Sequence, residues 1–328
     1  MEIREAGTGV LCDVEPAWPF RMPSRGGPDG VARVRDGIYE RLATVDGCPV
    51  LARAWQRPRS RTVRLAALPV EPGWAEPGPL AAAPRAGREQ LEAALGRTRV
   101  ALGLDDDYTE LYDRFGGDPL LGPAIRRMPW LRARRCFWPW EALVWAITEQ
   151  LIEVERAHAI QRRITARWGA AAQPPDRPRR LRAVPSPAMI AARAPAELAA
   201  LDLAPKRAIA MVKVAREVVA GRVDPARSEH DPRLLKISEI GPWTVQVLGQ
   251  KGRGDPDSLP AGDLAYLKLV PRLTGMDRRA TVEEVEEFYA PYAPFRGWAG
   301  LFTLAAGPAV RDTRPLRYHP PRPELEAA

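Results

Sequence analysis

Cysteine is scarce in this chain. Cys12, Cys48 and Cys136 stand far apart, with no Cys-x-x-Cys pair and no run of four. That spacing excludes a sequence-encoded zinc finger or iron–sulfur cluster and points to a reducing compartment rather than a disulfide framework. Histidine is as sparse, at His158, His230 and His319, so no histidine-built metal centre is expected. No run of about eighteen apolar residues occurs. The first residues, with Glu2, Arg4 and Glu5, also lack an apolar signal core, so a cytoplasmic protein without membrane contact is expected. Lysine is confined to Lys206, Lys213, Lys236, Lys251 and Lys268, and arginine carries nearly all the positive charge.

What is present is enough for two domains: 328 residues, of which 45% are hydrophobic. The formal charge of +8 and pI near 9.7 suit a polyanionic partner. A genome that writes arginine for lysine accounts for the same excess, so charge alone does not establish a partner.

Composition divides the chain. Residues 10–68 contain short β-prone runs, 37–45 and 49–55 around Asp46-Gly47 and a third at 61–68, and read as a small α+β domain. Residues 69–87 are rich in proline and glycine and read as a linker. From 88 to 306 the pattern is helical. Its clearest helix opens at Pro139 and carries Trp140, Leu143, Val144, Ile147 and Leu151 at spacings of three and four, predicting one helix to about Trp168. The Pro/Arg-rich stretch 170–187 reads as a surface connection, 206–220 as an amphipathic helix, 295–305 as the last helix, and 307–328 as a frayed tail.

The most informative stretch runs Leu234-Leu-Lys-Ile-Ser-Glu-Ile-Gly-Pro-Trp-Thr-Val-Gln-Val247, followed by Leu259-Pro-Ala-Gly-Asp-Leu264. It reads as helix, tight turn at Gly241, helix, and then a carboxylate, Asp263, at a third helix's N-cap position. As a plain cap Asp263 stabilises that helix by about 1 kcal/mol. In this order the elements resemble the helix-hairpin-helix DNA glycosylases, the HhH-GPD superfamily, which implies an α+β domain followed by a mostly α-helical glycosylase domain. The segment Asp13-Val-Glu-Pro-Ala-Trp-Pro-Phe20 and the runs after it resemble the N-terminal domain of bacterial 3-methyladenine DNA glycosylase II.

The resemblance implies a reaction and roles. Asp263 would be the catalytic carboxylate, stabilising the oxocarbenium-like sugar as the base leaves. The hairpin residues Ile240, Gly241 and Thr244 would contact the DNA backbone, with Gly241 letting the main chain approach a phosphate. The usual Pro-Gly-hydrophobic-Gly pattern is here Ser238-Glu239-Ile240-Gly241, so Glu239 stands where a glycine is usual and brings a negative charge. Strand-cutting relatives carry a nucleophilic lysine where this chain has Trp243. That implies a monofunctional enzyme acting on alkylated purines of the 3-methyladenine type, Trp243 lining the base pocket by cation–π attraction. A core aromatic is the plainer and less favoured reading of Trp243.

In Glu149-Gln150-Leu151 the resemblance makes Leu151 a wedge filling the gap left by a flipped base, and Gln150 a groove or pocket contact. Leu151 reads equally as core. Glu149, Glu153 and Glu155 put negative charge near the proposed DNA face. Trp298 and Tyr292 could close the pocket's far side or pack in the core. Damaged double-stranded DNA is the implied partner, a monomer the implied state. No organic cofactor is implied, though hairpin carbonyls could hold a monovalent cation. Two rivals stay open: a glycosylase of the same fold for oxidised or deaminated bases, and a non-catalytic DNA-binding helix-hairpin-helix protein.

Overall fold

The computed structural model describes residues 2–57, 60–75, 83–177 and 179–310. Six strands come first: β1 (Ile3–Ala6), β2 (Gly9–Val14), β3 (Arg33–Arg35), β4 (Ile38–Val45), β5 (Cys48–Gln56) and β6 (Val63–Pro69). They form one antiparallel sheet in the order β1-β2-β6-β5-β4-β3. The β4–β5 turn is the Asp46-Gly47 pair, with φ of 49° and 81°, the two positive values a type I′ hairpin requires. The sheet begins at Ile3, before the expected start at residue 10, because β1 pairs with β2.

Helix α1 (Arg88–Leu102) follows. Although its pattern groups it with the helical half, it packs across the sheet, where Leu91, Ala94 and Leu95 meet Val50, Ala52, Ala54 and Leu65. Alternation along β4 and β5 turns Leu42 and Leu51 to the opposite face. Residues 76–82 of the expected linker lie outside the described residues.

Next come α2 (Thr109–Phe115), α3 (Leu121–Arg127), α4 (Pro139–Glu149) and α5 (Val154–Trp168). Pro139 takes a first-turn position, where its missing N–H costs nothing. The single helix expected over 139–168 is broken: Gln150 is extended and Leu151 sits at φ 47°. A short strand pair, β7 (Ala171–Ala172) and β8 (Leu181–Arg182), then buries Ala172 and Leu181 against Leu42 and Leu51. The stretch expected to be a surface connection therefore covers the second face of the sheet.

The chain continues through α6 (Pro187–Ala191), α7 (Pro195–Ala199), α8 (Pro205–Val219), α9 (Asp231–Leu234) and α10 (Pro242–Val247) into a π-helical stretch, Leu248–Arg253. It ends with α11 (Leu264–Thr274), α12 (Val282–Tyr289) and α13 (Arg296–Val310). Helix α13 passes the expected boundary at 306, and 311–328 of the expected tail lie outside the described residues.

The helices form two cores. One gathers α4 to α10 around Leu143, Ile160, Met211 and Leu248. The other gathers α2, α3 and α11 to α13 around Tyr108, Leu121, Tyr289 and Phe302. A buried ion pair docks the sheet on the first of them: Arg41 Nη2 reaches Glu141 Oε1 at 2.6 Å, while Glu141 Oε2 accepts from Phe137 N–H.

Candidate active site

The turn between α9 and α10 differs from the one expected at Gly241. Gly241 caps α10 in an extended conformation, φ −107°, and the residue in the left-handed region is Glu239, φ 71°. A glycine is unconstrained there, whereas a side chain costs about 1–2 kcal/mol. No heavy atom lies within 4 Å of where Gly241 would carry a Cβ, so the approach to its main chain is open. Ile240, 4% exposed, belongs to the core, and the Thr244 side chain is buried at 1%. Neither side chain is free to reach a partner, which leaves only main-chain groups at these positions to meet a DNA backbone: apolar packing fixes Ile240, and a hydrogen bond engages Thr244.

That bond comes from Gln150. Its carboxamide Nε2 donates to the Glu239 carbonyl at 2.6 Å and to Thr244 Oγ1 at 2.9 Å. Gln150 thus ends α4 by turning its side chain to the hairpin. The next residue, Leu151, is fully exposed rather than part of the helix core. A leucine held at positive φ with its side chain in water is unfavourable twice over, and its surroundings must impose it.

Asp263 lies where the chain passes from one helical core to the other. Leu248 belongs to the first, Leu259 and Ala261 to the second. Asp263 is the N-cap of α11, its Oδ1 accepting the Ala265 N–H at 2.8 Å. Trp243, half-buried on α10, packs beside it: Trp243 Cδ1 lies 3.7 Å from where Gly262 would carry a Cβ, and Val282 of α12 lies 3.8 Å from that point. Hairpin, tryptophan and carboxylate therefore meet at one seam.

A lysine stands at the same seam. Lys251, in the π-helical stretch, places Nζ 3.0 Å from Glu149 Oε2. Burial favours its neutral form, but the Glu149 carboxylate, assisted by the nearby charge of Asp263, moves its pKa upward. Glu149 is therefore an ion-paired residue, not a free charge on the surface. Glu153 and Glu155 are exposed at the start of α5, where the helix dipole favours them.

The other expected pocket residues sit elsewhere. Tyr292 is fully buried, its hydroxyl directed at Asp118 Oδ2 at 3.2 Å and its ring against Phe115. It is a core residue, because the aromatic cluster of α12 and α13 leaves it no open face. Trp298 is half-buried, edge-on to Tyr108 at 4.5 Å and stacked on Phe295. Its helix does approach the segment on both sides of Asp263: a Cβ on Gly300 would lie 2.6 Å from Leu259 Cδ1 and 2.7 Å from Tyr266 Oη, so α13 packs closely there through glycine.

A cavity of about 350 Å³ lies at the far end of α4, lined by Arg97, Trp138, Trp140 and Asp224 among others. Ten residues of helix, about 15 Å, separate it from Glu149. Among the described residues no group of three or more His, Cys, Asp or Glu could hold a metal, and no helix is long and apolar enough to cross a membrane.

Residues 144–294, spanning hairpin, seam and Asp263, match the family of HhH-GPD superfamily base excision DNA repair proteins. That matched stretch resembles the HhH-GPD superfamily. The chain is 24% identical over 205 residues to a DNA-3-methyladenine glycosylase of Bacillus subtilis, covering 61% of this chain and 67% of that protein. It is 29% identical over 213 residues to the probable bifunctional transcriptional activator/DNA repair enzyme AlkA of Mycobacterium tuberculosis. That match covers 64% of this chain but only 42% of the relative. Among solved structures, the 3-methyladenine DNA-glycosylase from Archaeoglobus fulgidus superposes with a TM-score of 0.72 at 20% identity, covering 90% of this chain and 98% of that one. The 8-oxoguanine glycosylase/lyase of Clostridium acetobutylicum does so with a TM-score of 0.66 at 14% identity, covering 92% and 97%. At these identities the likeness establishes the fold.

The sequence brought forward Asp263, Trp243, Gln150 and Leu151, and the structure gathers all four around the hairpin. It missed Lys251 as a member of that group. The available signal was a lysine between the hairpin and Asp263 in a chain that otherwise writes arginine.

Proposed function

We propose that this protein hydrolyses the N-glycosidic bond of alkylated purines in damaged double-stranded DNA, without cutting the strand. The observation that carries the reading is the meeting of Asp263 and Trp243 at one seam, beside a hairpin tied through Gln150 to the exposed Leu151.

A duplex gripped at Gly241 would offer its lesion to this seam, with Leu151 filling the stack as the nucleotide swings out. Refilling offsets part of the few kcal/mol that unstacking costs. The electron pair of the C1′–N bond then leaves with the base. An N-alkylated purine that carries a positive charge departs neutral, so no acid need protonate it. Positive charge develops on the sugar, where the Asp263 carboxylate stabilises it, and water adds its oxygen to C1′ while its proton passes to Asp263 or solvent. Trp243 would favour a cationic base over a neutral one through its ring face.

Two features support the absence of strand cleavage. Trp243 occupies the position of the lysine nucleophile, and the nearby Lys251 is ion-paired and kept in its protonated form, without a lone pair to attack C1′. The relatives named as 3-methyladenine glycosylases support the lesion class. Nothing here requires more than a monomer.

The test is release of free base from methylated duplex DNA by the wild type and by Asp263→Asn, with nicks scored before and after alkali. Asparagine is as good an N-cap as aspartate, so the fold should survive while release disappears. Release by the wild type with nicks only after alkali is expected. Equal release by both proteins, or nicks before alkali, would overturn the reading.

A further inference from the structure

Leu151 stands at φ 47° with its side chain wholly in water. Such a conformation persists only where neighbouring contacts over-determine it. The two residues before it supply them, in opposite directions. Gln150 is bonded to the hairpin through Glu239 O and Thr244 Oγ1. Glu149 is held by Lys251 Nζ at 3.0 Å on Oε2 and by Gln161 Nε2 at 3.1 Å on Oε1, and Gln161 is itself anchored on Thr148 Oγ1 at 2.9 Å.

Lys251 is placed with equal care. Its carbonyl accepts the Cys136 N–H at 2.7 Å, fixing the π-helical stretch to the segment before α4. That stretch is the continuation of the hairpin's second helix, and ten residues later the chain reaches Asp263. Lys251 thus links the turn bearing Leu151 to the element bearing the carboxylate.

We propose that Lys251 is a positioning residue: by binding Glu149 it locks the 149–151 turn so that Leu151 projects into the DNA stack in register with Asp263. The proposal rests on Leu151 acting as the wedge in the function proposed above. Glu149 is then a second positioning residue, acting only through its pair with Lys251, and neither residue touches the reacting atoms.

The experiment uses the full chain and a methylated duplex carrying 2-aminopurine beside the lesion, whose fluorescence rises on unstacking. Fluorescence and single-turnover base release are read for the wild type, Leu151→Ala, Lys251→Met, Lys251→Arg, Glu149→Gln and the Lys251→Met/Glu149→Gln pair, each checked for folding by circular dichroism. Lys251→Met and Glu149→Gln should each lower the fluorescence rise and slow release about tenfold, the double variant should be no worse than either single, and Lys251→Arg should retain most of the signal. An unchanged fluorescence rise in Lys251→Met and Glu149→Gln, or losses that simply add, would overturn the proposal. A normal rise in Leu151→Ala would refute the wedge and the proposal with it. Wild-type unstacking without base release would instead fault the lesion class and leave the lock standing. Should Lys251→Met fail to fold, Glu149→Gln, nearly isosteric, decides the matter alone.

Discussion

The carboxamide of Gln150 donates to the main-chain oxygen of Glu239 across 2.6 Å, joining the end of α4 to the tip of the hairpin. The bond lets α4 stop where it does and holds Glu239 in the left-handed region.

Gln150→Ala removes this bond and the one to Thr244 Oγ1, leaving a buried hydroxyl without its donor. Stability should fall by about 1–3 kcal/mol, and affinity for abasic duplex should fall with it. Chemical denaturation and fluorescence anisotropy measure both, and unchanged affinity would show that hairpin and wedge turn bind DNA independently.

Glu239→Gly should act oppositely. It relieves a residue at φ 71° by about 1 kcal/mol and removes an exposed negative charge from the hairpin. Duplex affinity should rise, and the gain should shrink as salt is added. A loss of affinity at low salt would mean that the carboxylate assists binding.

Trp243→Ala should narrow the preference for cationic lesions over neutral ones. The expected loss is about 0.5–2 kcal/mol, roughly two- to thirtyfold in the ratio of single-turnover rates. Equal slowing on both lesion types would assign Trp243 a packing role only.

Glu141→Ala leaves Arg41 buried without its carboxylate, at a cost of about 3–5 kcal/mol. A melt should reveal it. Arg41→Met combined with Glu141→Leu, which removes both charges, should cost less than Glu141→Ala alone.

Acid should loosen the approach to the hairpin. Arg222 and Arg233 hydrogen-bond the Glu217 carboxylate and pull its pKa from 4.5 to about 2, tying the end of α8 to α9. A depressed folded-state pKa gives stability that is complete above the unfolded value and is lost as pH falls from 4.5 towards 2. Wild-type stability should therefore drop more steeply than that of Glu217→Gln in this window, and parallel curves would refute the assignment.

Local rules made much of this protein legible. Asp46-Gly47 specified a hairpin because two adjacent residues tolerate positive φ, and Pro139 opened α4 because a first-turn residue needs no N–H. Asp263 before an apolar run specified a cap, and the cap is there. Periodicity also predicted one helix over 139–168, and there it failed. Apolar spacing reports which face is buried, but not whether a side chain such as Gln150 finds a partner 89 residues away that ends the helix.

The sequence by itself determined most of the element order, the place of the hairpin and Asp263 as a helix cap, because these depend on neighbours in the chain. Only the tertiary structure decided that Leu151 points to solvent and Tyr292 does not, that Glu239 rather than Gly241 takes the left-handed conformation, and that Glu149 is neutralised by Lys251. Each of those outcomes depends on contacts between segments far apart in sequence, where burial and pairing are set by which helices meet and not by the residues on either side.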